Sequence, residues 1–372
     1  MDSERFLALL PCEFFAGVPD SLLSAFSAAV IRRFGLGKKH IIAANEGNAV
    51  GLAAGHYLAS GKVPCVYLQN SGVGNIVNPV TSLLDPKVYG IPCIFIVGWR
   101  GEPNVHDEPQ HAFMGGATLP LLRAAGITAE VLKVDASEEE VKVMLSSFMP
   151  VLKAGGSCAF VVEKGALTGE PYAPNKTGAQ LMREEAIACV VRAAGDDPIV
   201  STTGKASREL FELREKASEG HGRDFLTVGS MGHCSSVALG VALEKPEKTV
   251  YCIDGDGAAI MHLGALAVIG TVKPENFIHI VINNAAHESV GGQPTAAGKI
   301  CLAAVARDCG YRYTATVSDE QGLTSALEEA KRAGGPAFIE AVCAVGARSD
   351  LGRPTTTAAE NKEAFMKTLI GE

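Results

Sequence analysis

The sequence predicts an α/β protein made of two doubly wound parallel-sheet domains, and three observations carry that expectation. Short β-branched runs alternate with Ala/Leu-rich helical stretches along the chain, as they do when parallel strands are covered by helices on both faces. Each half offers about six such strand candidates with room for the crossovers between them. Between the halves, residues 166–178 (ALTGEPYAPNKTG) carry two Pro and two Gly without apolar periodicity, which suits a surface linker.

Taken in order, the strand candidates of the first half are Phe14 to Val18, Ile41 to Ala44, Cys65 to Gln69, Cys93 to Val97, Ala129 to Val134 and Cys158 to Val162. Those of the second are Ile199 to Ser201, Phe225 to Val228, Val250 to Asp254, Ile278 to Ile282, Tyr311 to Thr316 and Ala337 to Val342. The expected boundaries are a first domain at 1–165, a linker at 166–178 and a second domain at 179–372.

Composition narrows the class. With 372 residues, 47% of them hydrophobic, the chain can bury two sizeable cores. A net charge of −8 without a basic cluster leaves no electrostatic footprint for nucleic acid or an anionic membrane. Ten cysteines are scattered singly, with no C-x-x-C pair, which fits buried reduced thiols. Asp2-Ser3-Glu4-Arg5 does not open a basic, apolar leader, and no apolar run reaches membrane-spanning length. A cytoplasmic protein is expected.

The most informative stretch runs from Tyr251 to Asn284. One hydrophobic run ends in Asp254-Gly255-Asp256-Gly257 and a second in Asn283-Asn284. Two buried strands that stop in such tips present an acid and an amide at one carboxyl edge, where α/β folds place ligands. A carboxylate, an amide oxygen and a backbone carbonyl suit Mg2+, which prefers hard oxygen ligands and keeps room for phosphate oxygens. This spacing resembles the cofactor motif of the thiamine diphosphate enzymes. By position, the resemblance makes Asp256 and Asn284 the side-chain metal ligands and Ala286 the carbonyl ligand, with Gly255, Gly257 and Ala258 around the diphosphate. Ala285 departs from the glycine often found there.

The same resemblance assigns further residues. Glu46, in Asn45-Glu46-Gly47-Asn48 at the start of a small-residue helix, matches the glutamate that activates the aminopyrimidine of the cofactor. Gly229 and Met231 match the positions that receive the 4′-amino group and prop the cofactor into its bent shape. Apart from the resemblance, Thr202-Thr203-Gly204-Lys205 follows a strand candidate, a position from which the backbone amides of Thr203 and Gly204 are expected beside the diphosphate.

Longer stretches resemble the phosphonopyruvate decarboxylases: Gln69-Asn70-Ser71-Gly72-Val73-Gly74-Asn75, Gly98-Trp99-Arg100-Gly101-Glu102-Pro103, Asp107-Glu108-Pro109-Gln110-His111, and His287-Glu288-Ser289-Val290-Gly291-Gly292-Gln293. That family implies two domains of the thiamine diphosphate-binding fold without a middle domain, one gripping the aminopyrimidine and the other the diphosphate. It also implies decarboxylation of a small anionic 2-oxo acid, and a homo-oligomer, at least a dimer, whose active sites lie between subunits. Asp107 and His111 are the candidates for proton work. Asn70, Ser71, Arg100, His287 and Gln293 are the candidates to meet substrate, with Arg348 and Arg353 as further cations. Sulfopyruvate decarboxylase is the nearest alternative, ahead of an acyloin-forming synthase or a non-catalytic subunit.

Overall fold

The computed structural model describes residues 1–173 and 178–371. The chain divides into two compact units, residues 1–173 with 290–293, and residues 174–289 with 294–372. Of the expected linker, residues 166–168 belong to the first unit. There Ala166 and Leu167 are buried, and Ser3 N donates to Thr168 O. Residues 174–177 lie outside the described residues.

The first unit is built on β1 (Phe15–Gly17), β2 (His40–Ile42), β3 (Cys65–Gln69), β4 (Ile94–Gly98), β5 (Ile127–Leu132) and β6 (Ser157–Val162). They form one parallel sheet in the order β2-β1-β3-β4-β6-β5. The central strands read as unbroken apolar runs because both of their faces are covered. Tyr67, Ile96 and Phe160 enter a core with Phe6, Phe15 and Phe26. Their neighbours Val66, Leu68, Phe95 and Val161 enter the opposite core with Ala49, Val50 and Ala53. The chain places β2 on one side of β1 and β3 on the other, and such a reversal opens a crevice at the carboxyl ends of the strands.

The second unit repeats this plan with β7 (Ile199–Ser201), β8 (Asp224–Leu226), β9 (Val250–Gly255) and β10 (Phe277–Asn283). Two short strands follow, β11 (Ala286–His287) and β12 (Gln293–Pro294, of which Gln293 groups with the first unit), then β13 (Tyr313–Val317) and β14 (Ala337–Val342). The parallel order is β13-β14-β10-β9-β7-β8, so the reversal falls between β7 and β9. Tyr251, Ile253, Ile280 and Ile339 face one core, and Val250, Cys252, Val281 and Phe338 face the other.

Two strand starts differ from expectation by two residues, the others by at most one. β5 begins at Ile127, not Ala129, directly after Gly126 turns the chain at φ 77°. β13 begins at Tyr313, not Tyr311, because Tyr311 is a buried core residue rather than a ladder residue. No described helix is long and apolar enough to cross a membrane.

Candidate functional site

In the first unit, Glu46 opens the helix Glu46–Ser60, whose N-cap Asn45 accepts from Asn48 N at 2.9 Å. An acid in the first turn is favoured by the helix dipole, but Glu46 is also buried, and that calls for specific support. Asn75 Nδ2 donates to Glu46 Oε2 at 2.7 Å. Gly72 makes the other wall: a Cβ there would overlap Glu46 Oε1 and stand 2.5 Å from Cδ. Neither residue was assigned a role from sequence, although both lie in the Gln69-to-Asn75 stretch.

Beyond β4, Arg100 donates from Nε to Asp107 Oδ2 at 2.7 Å, pairs through Nη2 with Oδ1, and donates from Nη1 to Ser21 Oγ at 2.9 Å. Gly101 N and Glu108 N also donate to Asp107, each at 2.8 Å. The Arg100 hydrogen bonds hold the Asp107 carboxyl well below the usual carboxylate range, against its partial burial. Such a group does not release a proton near neutrality, so Asp107 anchors Arg100 and the loop instead of doing the proton work expected of it. Three of the five guanidinium N–H groups are engaged, leaving two for an anion.

Asn70 also departs from its expected role. Its Nδ2 donates to Arg100 O at 2.7 Å and Thr118 Oγ1 at 2.9 Å, and its Oδ1 accepts from Arg100 N at 3.2 Å. Both amide hydrogens are spent on the fold, so Asn70 has no donor left for substrate. Ser71 is exposed and accepts from Gln69 Nε2 at 2.6 Å. Burial, with Arg100 nearby, lowers the His111 pKa, so its imidazole is neutral at physiological pH. Gln293, wholly buried among the residues grouped with the first unit, donates to Ser27 Oγ at 2.7 Å.

Sequence reasoning missed Asp20. It follows β1, is fully buried, and its pKa is pushed up to about 6 by burial despite the opposing pull of Arg100. A Cβ at Gly98 would overlap Asp20 Oδ2, so that glycine makes room for the carboxyl. The signal available was Asp20 directly after an apolar strand and a proline.

In the second unit, β9 and β10 run in register with Gly255 opposite Ile282, so Asp256 and Asn284 leave neighbouring strands at the same edge. Asp256 begins a short helix, Asp256–Met261. Its Oδ1 accepts from Gly257 N at 2.8 Å and its Oδ2 from Thr295 Oγ1 at 2.7 Å. Burial raises its pKa to about 6. Asn283 turns inward and donates to Glu340 Oε1 at 2.7 Å. Asn284 Oδ1 accepts from Ala286 N at 3.1 Å, and its Nδ2 donates to Glu288 Oε2 at 2.9 Å. Between them Ala285 adopts φ 56°, a left-handed conformation that costs a non-glycine residue roughly 1 kcal/mol.

Glu288 was not singled out from sequence, yet it fixes which end of the Asn284 amide is which. Lys205 Nζ donates to its Oε1 at 2.6 Å and Arg183 Nη1 to its Oε2 at 2.9 Å. Burial works to raise its pKa, but the two cations hold it below the ordinary value. A carboxylate held ionised can only accept, so the Asn284 NH2 faces Glu288 and the amide oxygen remains a ligand atom.

The remaining expected cofactor residues lie on nearby loops of this unit. Thr203 Oγ1 accepts from Gly229 N at 3.1 Å; Gly229 has φ 69° and Gly204 φ 96°. A Cβ on Gly257 would stand 3.0 Å from His287 Cε1 and 3.5 Å from Met231 Cε. The His287 pKa is pushed down to about 4 by burial. Arg348 is engaged with Glu184, Glu212 and Asp350, which accounts for it without an anionic ligand.

These residues fit the implied cofactor and metal. The Asp256 oxygens accept from Gly257 N and Thr295 Oγ1 and the Asn284 oxygen from Ala286 N; oxygens with two or more lone pairs still have room for a cation, and with a backbone carbonyl they form the hard oxygen set that Mg2+ takes. A Cβ built on Gly204 or Gly255 would meet nothing within 4 Å, so open space adjoins both loops, as a diphosphate held against the backbone requires.

Two parallel-sheet units, each with a buried acid just past a strand tip, are the plan of a thiamine pyrophosphate enzyme. Residues 5–119 match the family described as thiamine pyrophosphate enzyme, N-terminal TPP binding domain, and residues 202–341 match its C-terminal TPP binding domain. Phosphonopyruvate decarboxylase of Streptomyces viridochromogenes is 35% identical over 94% of this chain and 89% of that protein. The Streptomyces hygroscopicus phosphonopyruvate decarboxylase is 35% identical over 95% and 89%. Sulfopyruvate decarboxylase of Methanosarcina acetivorans is 31% identical over 87% and 86%. The chain belongs to the thiamine pyrophosphate-dependent decarboxylase family that contains the phosphonopyruvate and sulfopyruvate decarboxylases.

Proposed function

We propose that this chain decarboxylates 3-phosphonopyruvate to phosphonoacetaldehyde and carbon dioxide, with thiamine diphosphate and Mg2+. The observation that carries the reading is the 35% identity to two phosphonopyruvate decarboxylases over nearly the whole chain. When bound, thiamine diphosphate supplies the carbon nucleophile and the electron sink that loss of carbon dioxide from a 2-oxo acid requires. Glu46 would hold the aminopyrimidine through its carboxyl, with Asn75 fixing Oε2. Asp256, Asn284 and the Ala286 carbonyl would hold Mg2+, and Thr203, Gly204, Gly229, Met231, Gly255, Gly257 and Ala258 would line the cofactor. The two free N–H groups of Arg100 would orient the anionic substrate. Neutral His111 and Asp20, whose pKa is raised to about 6, are the groups able to exchange a proton near neutrality.

The cofactor needs Glu46 and Asp256 together. We propose a homo-oligomer, at least a dimer, in which different subunits supply the two, and a cytoplasmic location in keeping with ten unpaired cysteines. Sulfopyruvate is the second candidate substrate, favoured by the 31% identity to the Methanosarcina acetivorans enzyme. Turnover of the two 2-oxo acids should be measured side by side with cofactor and Mg2+ saturating. Phosphonopyruvate is expected to give the higher kcat/KM; a preference for sulfopyruvate would replace the first reading with the second.

A further inference from the structure

One cluster in the second unit has no part in the chemistry above. Cys252 on β9 and His279 on β10 are register partners, so their side chains stand on the same face of the sheet. Asp254, two residues after Cys252, shares that face. The helix Cys234–Glu244 packs over it and brings in Cys234. Cys252 Sγ, a carboxylate oxygen of Asp254 and a ring nitrogen of His279 all lie within 4.8 Å of one another. Asp254 Oδ2 is 3.5 Å from His279 Nε2, and Cys234 Sγ is 3.5 Å from Cys252 Sγ. All four residues are at most 1% exposed.

Cysteines in a core are ordinarily small hydrophobes, and a His beside an Asp is ordinarily a hydrogen-bonded pair. Here that pairing is poor. At 3.5 Å it exceeds the span of a good N–H···O bond, and neither Asp254 Oδ2 nor His279 Nε2 has a hydrogen-bond partner among the described residues. The other atoms of both groups are engaged. Asp254 Oδ1 accepts from Gly255 N at 2.9 Å, and His279 Nδ1 lies 3.4 Å from Tyr311 Oη. Two buried polar atoms therefore point into the same space as a thiol, and leaving them unsatisfied is costly.

We propose that Cys252, Asp254 and His279 form a structural zinc site, which Cys234, beside Cys252 but outside the cluster these three make, completes as the fourth ligand when the metal draws its sulfur in. Zinc takes sulfur, nitrogen and oxygen in a tetrahedron with bonds of about 2.0–2.3 Å, which sets ligand atoms roughly 3.5 Å apart. The soft sulfur and imidazole donors separate this site from the all-oxygen set at Asp256 and Asn284. Burial raises the Cys252 thiol far above its ordinary range, so a thiolate persists there only on a cation. Each coordinated Sγ–H gives its proton to solvent as the sulfur–zinc bond forms, and the imidazole binds neutral. Four protein ligands leave no open position for a reacting water, so the metal would tie the helix to β9 and β10, just behind the strand tips that present Asp256 and Asn284.

The test uses the full chain expressed with zinc, freed of loose metal on a chelating column and analysed by elemental mass spectrometry. One equivalent of zinc per chain is expected, and Co2+ put in its place should give a thiolate-to-metal charge-transfer band. Cys252→Ser should lose the band and the equivalent, His279→Gln should lose the equivalent, and Asp256→Ala should keep both. Cys234→Ser should weaken retention, and unchanged retention would remove Cys234 from the ligand set. Wild-type protein without tightly held zinc, or a Cys252→Ser variant that keeps it, overturns the site; the exposed Cys301 would then be the place to look for adventitious metal. Should the variants fail to fold, X-ray absorption on the wild-type zinc form decides, since a first shell without sulfur also overturns it.

Discussion

Glu46 and Asp256 hold matching places in their own sheets, each a buried acid opening a helix just past a strand, but they are held in opposite ways. Among the described residues Glu46 receives one side-chain hydrogen bond, from Asn75 to Oε2, and its Oε1 sits against the bare Cα of Gly72. Both oxygens of Asp256 are occupied, one by Gly257 N and the other by Thr295 Oγ1, and burial lifts its pKa to about 6. A carboxyl left with one oxygen open is suited to carry a proton to a ligand. A carboxyl aimed through both oxygens, and poorly solvated, is suited to a cation that relieves its burial.

The sharpest way to break this contrast is to exchange the two losses. Glu46→Gln should retain thiamine diphosphate and Mg2+ binding while turnover falls by about 10²–10⁴-fold, the usual cost of a lost acid–base group. Asp256→Ala should instead lose Mg2+-dependent cofactor binding. Titration calorimetry beside steady-state kinetics separates the outcomes, and equal effects of both variants on cofactor affinity would erase the distinction. A smaller effect is expected one residue removed from the metal. Glu288→Gln no longer dictates the orientation of the Asn284 amide, and Mg2+ affinity should weaken by about 10–100-fold, as for other residues that orient a ligand.

Asp20 probes the first unit through pH. Its pKa is raised from 3.8 to about 6 in the folded chain, so the native state holds this proton more tightly than the unfolded one. The stability this contributes is complete below about pH 4, declines as pH rises through about 6, and is gone above that. Urea melts of Asp20→Asn should therefore lack part of the decline seen in wild type between those values; identical pH profiles would show that Asp20 is not the group responsible. The smallest change expected is at Ala285. Glycine accepts its φ of 56° without strain but loses more backbone entropy on folding, so Ala285→Gly should shift stability by no more than about 1 kcal/mol. A larger loss in thermal melts would mean the Ala285 methyl, 3.1 Å from where a Gly298 Cβ would lie, packs the loop in an essential way.

The strands and the paired tips were legible because a strand buried on both faces must be a continuous apolar run, and a polar residue ending such a run stands out. What surrounds the acids was not. Asn75 reaches Glu46 across 29 residues and Lys205 reaches Glu288 across 83, separations at which no local pattern records a contact. Asn70 shows the opposite error. A polar residue at a strand tip reads as a group that faces ligand, but the same amide also satisfies buried backbone, and there it holds the peptide of Arg100.

That peptide carries a guanidinium already matched by Asp107. An anion arriving at Arg100 thus meets a nearly neutral pair, not a bare cation. Long-range attraction toward this point is weak, and added salt has little field there to screen. Discrimination between a phosphonate and a sulfonate on these two N–H groups would rest on the direction and number of acceptor oxygens, with total charge a minor influence.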